Sequence, residues 1–431
     1  MERSLPVARS EACGPVSGDT APACDAGVGL SDYEGCQELP HAAFEFLGPA
    51  THPSTASVGA SPVDFRTLAM QIRADGLFNR RPGYYVAKVG ITVAALAGGW
   101  AVFVVVGNSW ADLGVAVFLG AVFAQLGFIG HDAGHQQIFA SRRANRLLGL
   151  VIGDVLIGLS FGWWVSKHSA HHSHPNEIGR DPDVGSDLFG VFEGANSMRR
   201  EGPARILARW RAPLFFPLML LRSVSLHASG IRHLVRRHDR ATVVEKLLVF
   251  LHAGMFFTIV LLVLGPLKAI AFVAVQQTVF SFYLGMSFAP NHKGMPIIPA
   301  GAKLDFARRQ IITSRNVSGG ALLTFALGGL NYQIEHHLFP SIPRPNLQRA
   351  QALVKASCRA AHVDYCELSF FDSFRMIVHH LQTDAKGVQR GRQDSPENRQ
   401  LEEVWQDAQR EAASQEGQGA GPQRARSLTI R

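Results

Sequence analysis

The sequence predicts an all-α membrane protein: four transmembrane helices in two hairpins, interfacial helices between them, and a cytosolic histidine-rich cap. Three observations predict it. Apolar residues make up 47% of the 431-residue chain, and they gather into a few long runs. Arginines and lysines precede the first of those runs and follow the second. Of the eighteen histidines, many crowd into a few short stretches, several at helical spacing. Forty-two Lys and Arg against thirty-four Asp and Glu leave a net charge of +8, and the apolar fraction excludes a wholly disordered chain. Cys13, Cys24, Cys36, Cys358 and Cys366 lie near the two ends with no CxxC pair. That pattern fits neither a disulfide scaffold nor a cysteine–zinc module.

Three regions are expected. Residues 1–60, rich in Ala, Gly, Ser and Pro, form a flexible cytosolic N-terminal tail, and their start (MERSLPVARSEACGP) lacks the apolar stretch of a secretory signal. Residues 61–384 form the membrane domain. Residues 385–431 are rich in Gln, Gly and charge and form a disordered or weakly helical polar C-terminal tail.

The spans fall at 89–106, 113–130, 247–264 and 269–289, each with the length and purity needed to cross a bilayer. The connectors GNSWAD and GPLK are short enough to make each pair a hairpin. Arg80, Arg81 and Lys88 precede the first span, and Arg142, Arg143 and Arg146 follow the second. The positive-inside rule then puts both termini and the long 131–246 segment in the cytosol. A fifth apolar run, 147–164, carries Asp154 at its middle, at a cost of about 2.5–3.5 kcal/mol for a crossing. A crossing would also separate the histidine clusters on either side of it by the ~30 Å hydrocarbon core. The run is therefore expected to lie in the interface, or to dip in and return.

Two further stretches look interfacial. In 65–72, Phe65, Leu68, Ala69 and Ile72 share one helical face, with Arg66 and Arg73 off it. In 203–222, Arg205, Arg209 and Arg211 flank Trp210 and an apolar run. Ordinary helices packed on a soluble cap are the alternative for both.

The histidines carry the chemistry. His131-Asp-Ala-Gly-His135 has i, i+4 spacing, and His168-Ser-Ala-His171-His172, followed by His174, has i, i+3, i+4 spacing. Asn291-His292 ends the fourth span, and Gln333-Ile-Glu-His336-His337 repeats the second pattern with Gln first. Residues at these separations share a helix face, so their imidazoles can reach a common point. A single zinc needs three or four ligands, so this many imidazoles imply two metals and a di-metal cap. Soluble di-iron bundles use Glu and ExxH carboxylates that are missing here. A histidine-rich pair of irons suited to O2 activation remains.

HDAGH, HSAHH and QIEHHLFP together resemble the three histidine boxes of the membrane-bound fatty acid desaturases. The pattern H-x3-H, H-x2-H-H, Q-x2-H-H is similar to the front-end and linoleoyl-CoA (Δ6-type) subgroup. SFAPNHKGMP and NYQIEHHLFPSIPRPNL add a likeness to bacterial acyl-CoA desaturases. The resemblance covers about residues 60–370 and makes 61–384 a desaturase membrane domain. It implies His131, His135, His168, His171, His172, His336 and His337 as ligands of two Fe ions, with His292 as an extra ligand. Gln333 stands where other desaturases have His, either as a ligand or hydrogen-bonded to one. Asn291 and His174 are expected as neighbours of the ligands. Asp132, Asp181, Asp183 and Glu335 are candidates for orienting imidazole N–H groups, with solvated charges or helix caps as the alternative. His252 is expected as a buried hydrogen-bonding residue rather than a ligand. His227, His233 and His238 are expected at the interface, where they and Arg199, Arg200 and Arg205 could meet the phosphates of a CoA headgroup or lipid.

The activity implied is O2-dependent insertion of a cis double bond into an acyl-CoA or acyl-lipid chain. The acyl tail would enter a tunnel between the spans, in a multi-pass protein of a bacterial plasma membrane. The chain carries no GxGxxG fingerprint and no HPGG-type cytochrome b5 motif, so electrons are expected from a separate donor such as a ferredoxin with its reductase. A lipid or alkane hydroxylase is the alternative on the same scaffold. A metal carrier is a rival from another class, but the spans hold few of the ionisable residues an ion path needs. Nothing in the charge pattern calls for nucleic acid.

Overall fold

The computed structural model describes residues 63–184 and 210–390. The N-terminal tail, residues 391–431, Arg199, Arg200, Arg205, Arg209 and the start of the 203–222 stretch lie outside the described residues. Helix α1 (Phe65–Ala74) leads to a hairpin of α2 (Pro82–Val106) and α3 (Asp112–Gly134). Then come α4 (Arg142–Leu150), α5 (Phe161–Ser173), α6 (Arg211–Met219) and α7 (Arg222–Arg236). A second hairpin follows, α8 (Arg240–Val263) and α9 (Pro266–His292). The cap continues with α10 (Phe306–Ile312), β1 (Asn316–Ser318), α11 (Ala321–Ala326), α12 (Gln333–Leu338), α13 (Leu347–Ala360), β2 (Glu367–Ser369) and α14 (Phe370–Arg390). The two strands pair in parallel, Asn316 opposite Glu367.

Helices α2, α3, α8 and α9 are long and apolar enough to cross a membrane, matching the four expected spans. Two lie inside and two outside: 67% of the α3 span and 39% of the α9 span are buried, against 22% for α2 and 17% for α8. At Gly120 on α3 an added Cβ would come 2.8 Å from the Gln276 carbonyl oxygen of α9, so only glycine permits this approach. Trp100, Phe103, Phe256 and Phe272 interlock across both hairpins, with centroids 4.7–5.6 Å apart.

The 147–164 run is broken. α4 widens into a π-helical turn, Val151–Ile157, and the chain bends by 113° before α5. No straight crossing results, in keeping with a segment that dips and returns. Gly158 makes the bend at φ +74°, where a Cβ would also strike the His252 ring at 2.3 Å. Side chains satisfy the backbone groups freed there, as a buried break requires. Asp154 accepts from the Phe161 N–H at 2.7 Å, and Ser160 caps α5 while donating to Glu245 at 2.8 Å. The His252 Nδ1 contacts the Val155 carbonyl at 2.8 Å, so His252 is a hydrogen-bonding residue as expected, but half-buried rather than buried. His227, expected at the interface, is half-buried and sets its Nε2 3.2 Å from the Ile157 carbonyl.

Two expectations change. The apolar face of α1 does not face lipid: Leu68 and Ile72 are buried in a second core with Ile311, Ile334, Leu338, Leu347 and Val354, and Phe65 stacks on Phe339. Periodicity reveals that a face is apolar but not what covers it. Helix α14 runs on to Arg390. Its apolar stripe, Phe374, Ile377 and Leu381, packs with Phe215 and Met219 of α6 in a third core. That packing draws part of the expected interfacial stretch into the protein, and α6 bends by 66° into α7. His233 is half-buried on α7 and His238 is exposed beyond it.

Candidate metal centre

The histidines meet where the inner helices end. His131 sits on the last turn of α3 and His135 just after it. α5 brings His168, His171 and His172, α9 ends on His292, and α12 brings His336 and His337. Their ring nitrogens form two groups, each with all ligand atoms within 4.8 Å of one another. Site one is His131, His135, His168 and His336; site two is His171, His292 and His337. The motifs do not map one to a site. His168 and His171, three residues apart, go to different sites, as do the adjacent His336 and His337. The expectation of one shared point per motif holds only for His131 and His135.

His172 belongs to neither group. Its ring stacks on His337 with centroids 4.1 Å apart, and its Nε2 lies 3.1 Å from that of His168. Gln333 holds its amide nitrogen 2.9 Å from His292 Nε2 and accepts from Asn291 at 3.3 Å, which places both amides beside site two. His174 is the residue where α5 ends.

The hydrogen bonds settle which nitrogens face inward. At site two, His171 Nδ1 donates to Asp181 at 2.9 Å, His292 Nδ1 to the Thr313 carbonyl at 2.9 Å and His337 Nδ1 to Gln310 at 2.9 Å. Each Nε2 is then an acceptor: that of His337 has no partner among the described residues, while that of His292 also meets the Gln333 amide nitrogen at 2.9 Å. Two of these, on His171 and His292, stand 3.3 Å apart. At site one, the Nε2 atoms of His131, His135 and His336 are buried without a partner. Buried unpaired acceptors are rare in proteins, and lone pairs converging on one volume repel unless a cation lies between them. The residues therefore fit a pair of metal ions, and imidazole nitrogen suits Fe, Cu, Ni or Zn.

Electrostatics point the same way. Burial, reinforced by neighbouring imidazoles, holds His135, His168, His172, His336 and His337 well below the usual histidine range, in the neutral form a metal requires. Burial would lower His171 too, but Asp181 and Asp183 more than reverse it. That negative charge equally favours a cation at its Nε2. Asp183 is itself held by Lys167 and by Arg222, the latter at 3.2 Å. Beside site one, Asp132 faces His131 Nδ1 at 3.4 Å and forms a buried ion pair with Arg344 at 2.8 Å. Glu335 turns away from both sites. It accepts from Asn316 and Tyr365, each at 2.7 Å, and burial pushes it up to about 7.

Sequence reasoning missed several supports: Gln310, the Thr313 carbonyl, Trp164 stacked on His168 at 4.6 Å, and Arg315. Arg344 lies within the quoted NYQIEHHLFPSIPRPNL stretch, where sequence reasoning finds only the family likeness. Gln310 and Thr313 carry no signal, since one is an ordinary helix residue and the other acts through its backbone.

The fold and this arrangement define a helical protein with membrane-spanning hairpins and two adjoining histidine sites. The chain belongs to the fatty acid desaturase family, whose model matches residues 108–369. It is 30% identical over 324 residues to a Δ8 fatty acid desaturase of Euglena gracilis, covering 73% of this chain and 76% of that protein. A Δ5 fatty acid desaturase of Caenorhabditis elegans is 29% identical over 325 residues, 73% of this chain and 72% of the relative. An acyl-lipid (9-3)-desaturase of Physcomitrium patens is 29% identical over 323 residues, covering 71% of this chain but only 59% of the moss protein. These relatives are oxidoreductases of the front-end subgroup, as the Gln-first third box led us to expect.

Proposed function

We propose that the chain is an O2-dependent fatty acyl desaturase of the front-end type, forming a cis double bond in an acyl-CoA or acyl-lipid substrate. The observation that carries this is the pair of adjoining groups of four and three inward-facing imidazoles. Two irons would be held by His131, His135, His168 and His336 at one site and by His171, His292 and His337 at the other. His172, Gln333 and Asn291 stand close enough to complete either coordination sphere or a hydrogen bond to it. Bound as a pair, irons supply the oxidising power to remove hydrogen from unactivated methylenes, which no side-chain base can do.

The chain's own residues do the rest. Asp181, Gln310 and the Thr313 carbonyl fix which nitrogen each site-two imidazole presents. The buried setting of His336 and His337, each 1% exposed, keeps bulk water from the reacting carbons. The inner helices hold an acyl chain in register, which decides the bond position. Electrons come from a separate donor such as a ferredoxin with its reductase, docking on the basic cytosolic face. The protein is multi-pass in a bacterial plasma membrane, with both termini and the metal centre cytosolic.

Expression in a host that lacks such unsaturated chains tests this. Gas chromatography with mass spectrometry should find a new cis double bond on the carboxyl side of the chain, and the purified protein should hold two irons. A hydroxylated product would identify a hydroxylase instead. One zinc and no iron would remove the redox reading altogether.

A further inference from the structure

Arg315 is fully buried, and among the described residues its guanidinium hydrogen-bonds to carbonyls and sulfurs rather than to a carboxylate. Its Nε donates to the Pro290 carbonyl at 2.6 Å and its Nη2 to the Lys293 carbonyl at 3.0 Å. Its backbone N–H donates to the Asn291 carbonyl at 2.8 Å. The third arm of the fork meets the sulfurs of Met376 and Met295. The carbonyl between them, that of His292, accepts from the Met295 N–H at 3.1 Å and from Asn176 at 3.4 Å. The C-terminal end of α9, which needs outside donors and carries the negative end of the helix dipole, is thus capped largely by one distant arginine. That end is where His292 sits.

The same strip of chain reaches both halves of site two. Thr313, Ser314, Arg315 and Asn316 are all fully buried. The Thr313 carbonyl pins His292 Nδ1, while Asn316 accepts from the Ile334 N–H at 2.9 Å and donates to Glu335 at 2.7 Å, holding the helix that bears His337 and, for site one, His336. No contact of this strip reaches a site-one imidazole directly.

We infer that Arg315 is a positioning residue for site two: its fork sets where His292 stands relative to His171 and His337, and so governs metal affinity there but not at site one. This rests on the two-metal reading above. A lysine could supply charge but not three fixed directions, so Arg315→Lys should lose the geometry.

The test titrates the full-length protein, purified in detergent and freed of metal, with Fe(II) or Co(II). Cobalt absorption and elemental analysis give the number and affinity of sites. Wild type should bind two ions per chain. Arg315→Lys should keep the first at wild-type affinity and bind the second about 10–100-fold more weakly, the range for residues that orient a ligand. His292→Ala should weaken the same site. Unchanged affinity at both sites in Arg315→Lys, or equal weakening at both, overturns the inference. If wild type itself fails to bind two ions, the two-metal reading has failed instead. Should Arg315→Lys not fold, hydrogen exchange on the wild type decides: metal must slow exchange of the Arg315 amide, which is tied to Asn291, and equal rates with and without metal overturn the coupling.

Discussion

At site two, all three imidazoles have their Nδ1 atoms tied to acceptors 2.9 Å away, one each from the loop after α5, the end of α10 and the residue beyond it. At site one the corresponding contact is a single long one, 3.4 Å from His131 to Asp132. Packing does more there. His131, His135, His168 and His336 crowd at centroid distances of 4.6–5.0 Å for most pairs, and Trp164 covers His168. A site of four imidazoles can rely on the metal and on ring contacts to fix each ring. A site of three, short of one histidine where Gln333 stands, has its rings oriented beforehand by hydrogen bonds.

The largest effects should come from removing a ligand. His336→Ala at site one and His171→Ala at site two should each abolish detectable product while the protein stays in the membrane; wild-type turnover in either would break the two-site picture. Next is the support behind site one. Arg344→Met leaves Asp132 buried and unpaired beside His131, a change that costs about 3–5 kcal/mol. Thermal unfolding in detergent should show a drop in Tm of several degrees or more. Asp181→Asn should cost about 10–100-fold in metal affinity at site two, because the carboxylate that orients and charges His171 is gone. Titration with Co(II) measures it. Chelation sharpens the comparison further: in wild type the three-imidazole site should empty first, and Gln333→His should narrow the gap between the two release phases. Smallest is Trp164→Leu, which removes a stacking contact of about 0.5–1.5 kcal/mol and should shift site-one affinity by roughly tenfold or less.

The apolar core of each span and the histidines that gather at the two sites were legible in the sequence, because hydrocarbon length and helical spacing leave direct marks. The helix ends were not. α2 begins at Pro82 and α8 at Arg240, each seven residues before its apolar run, and α3 and α9 run past theirs to Gly134 and His292. Those turns are polar, and a window tuned to lipid stops short of them. The partition of the boxes was also hidden. Helical spacing says that His168 and His171 share a face, but the choice of site depends on where α9 and α12 arrive from more than a hundred residues away. The supports at Thr313 and Arg315 act on backbone carbonyls, which leave no pattern of residue types.

The polar turns at one end of all four long helices have a consequence for substrate delivery. The four residues of α3 and three of α9 beyond their runs are ~6 Å and ~4.5 Å long. If the apolar runs mark the hydrocarbon slab, the histidines stand above it, like a workbench over a pool. A methylene must then be raised to them rather than met in the lipid. Exposing about ten methylenes to water on the way would cost about 8 kcal/mol. Such a climb would need a continuous dry wall, and under the proposed function the protruding ends of α3 and α9 would serve as a wick beside the histidines.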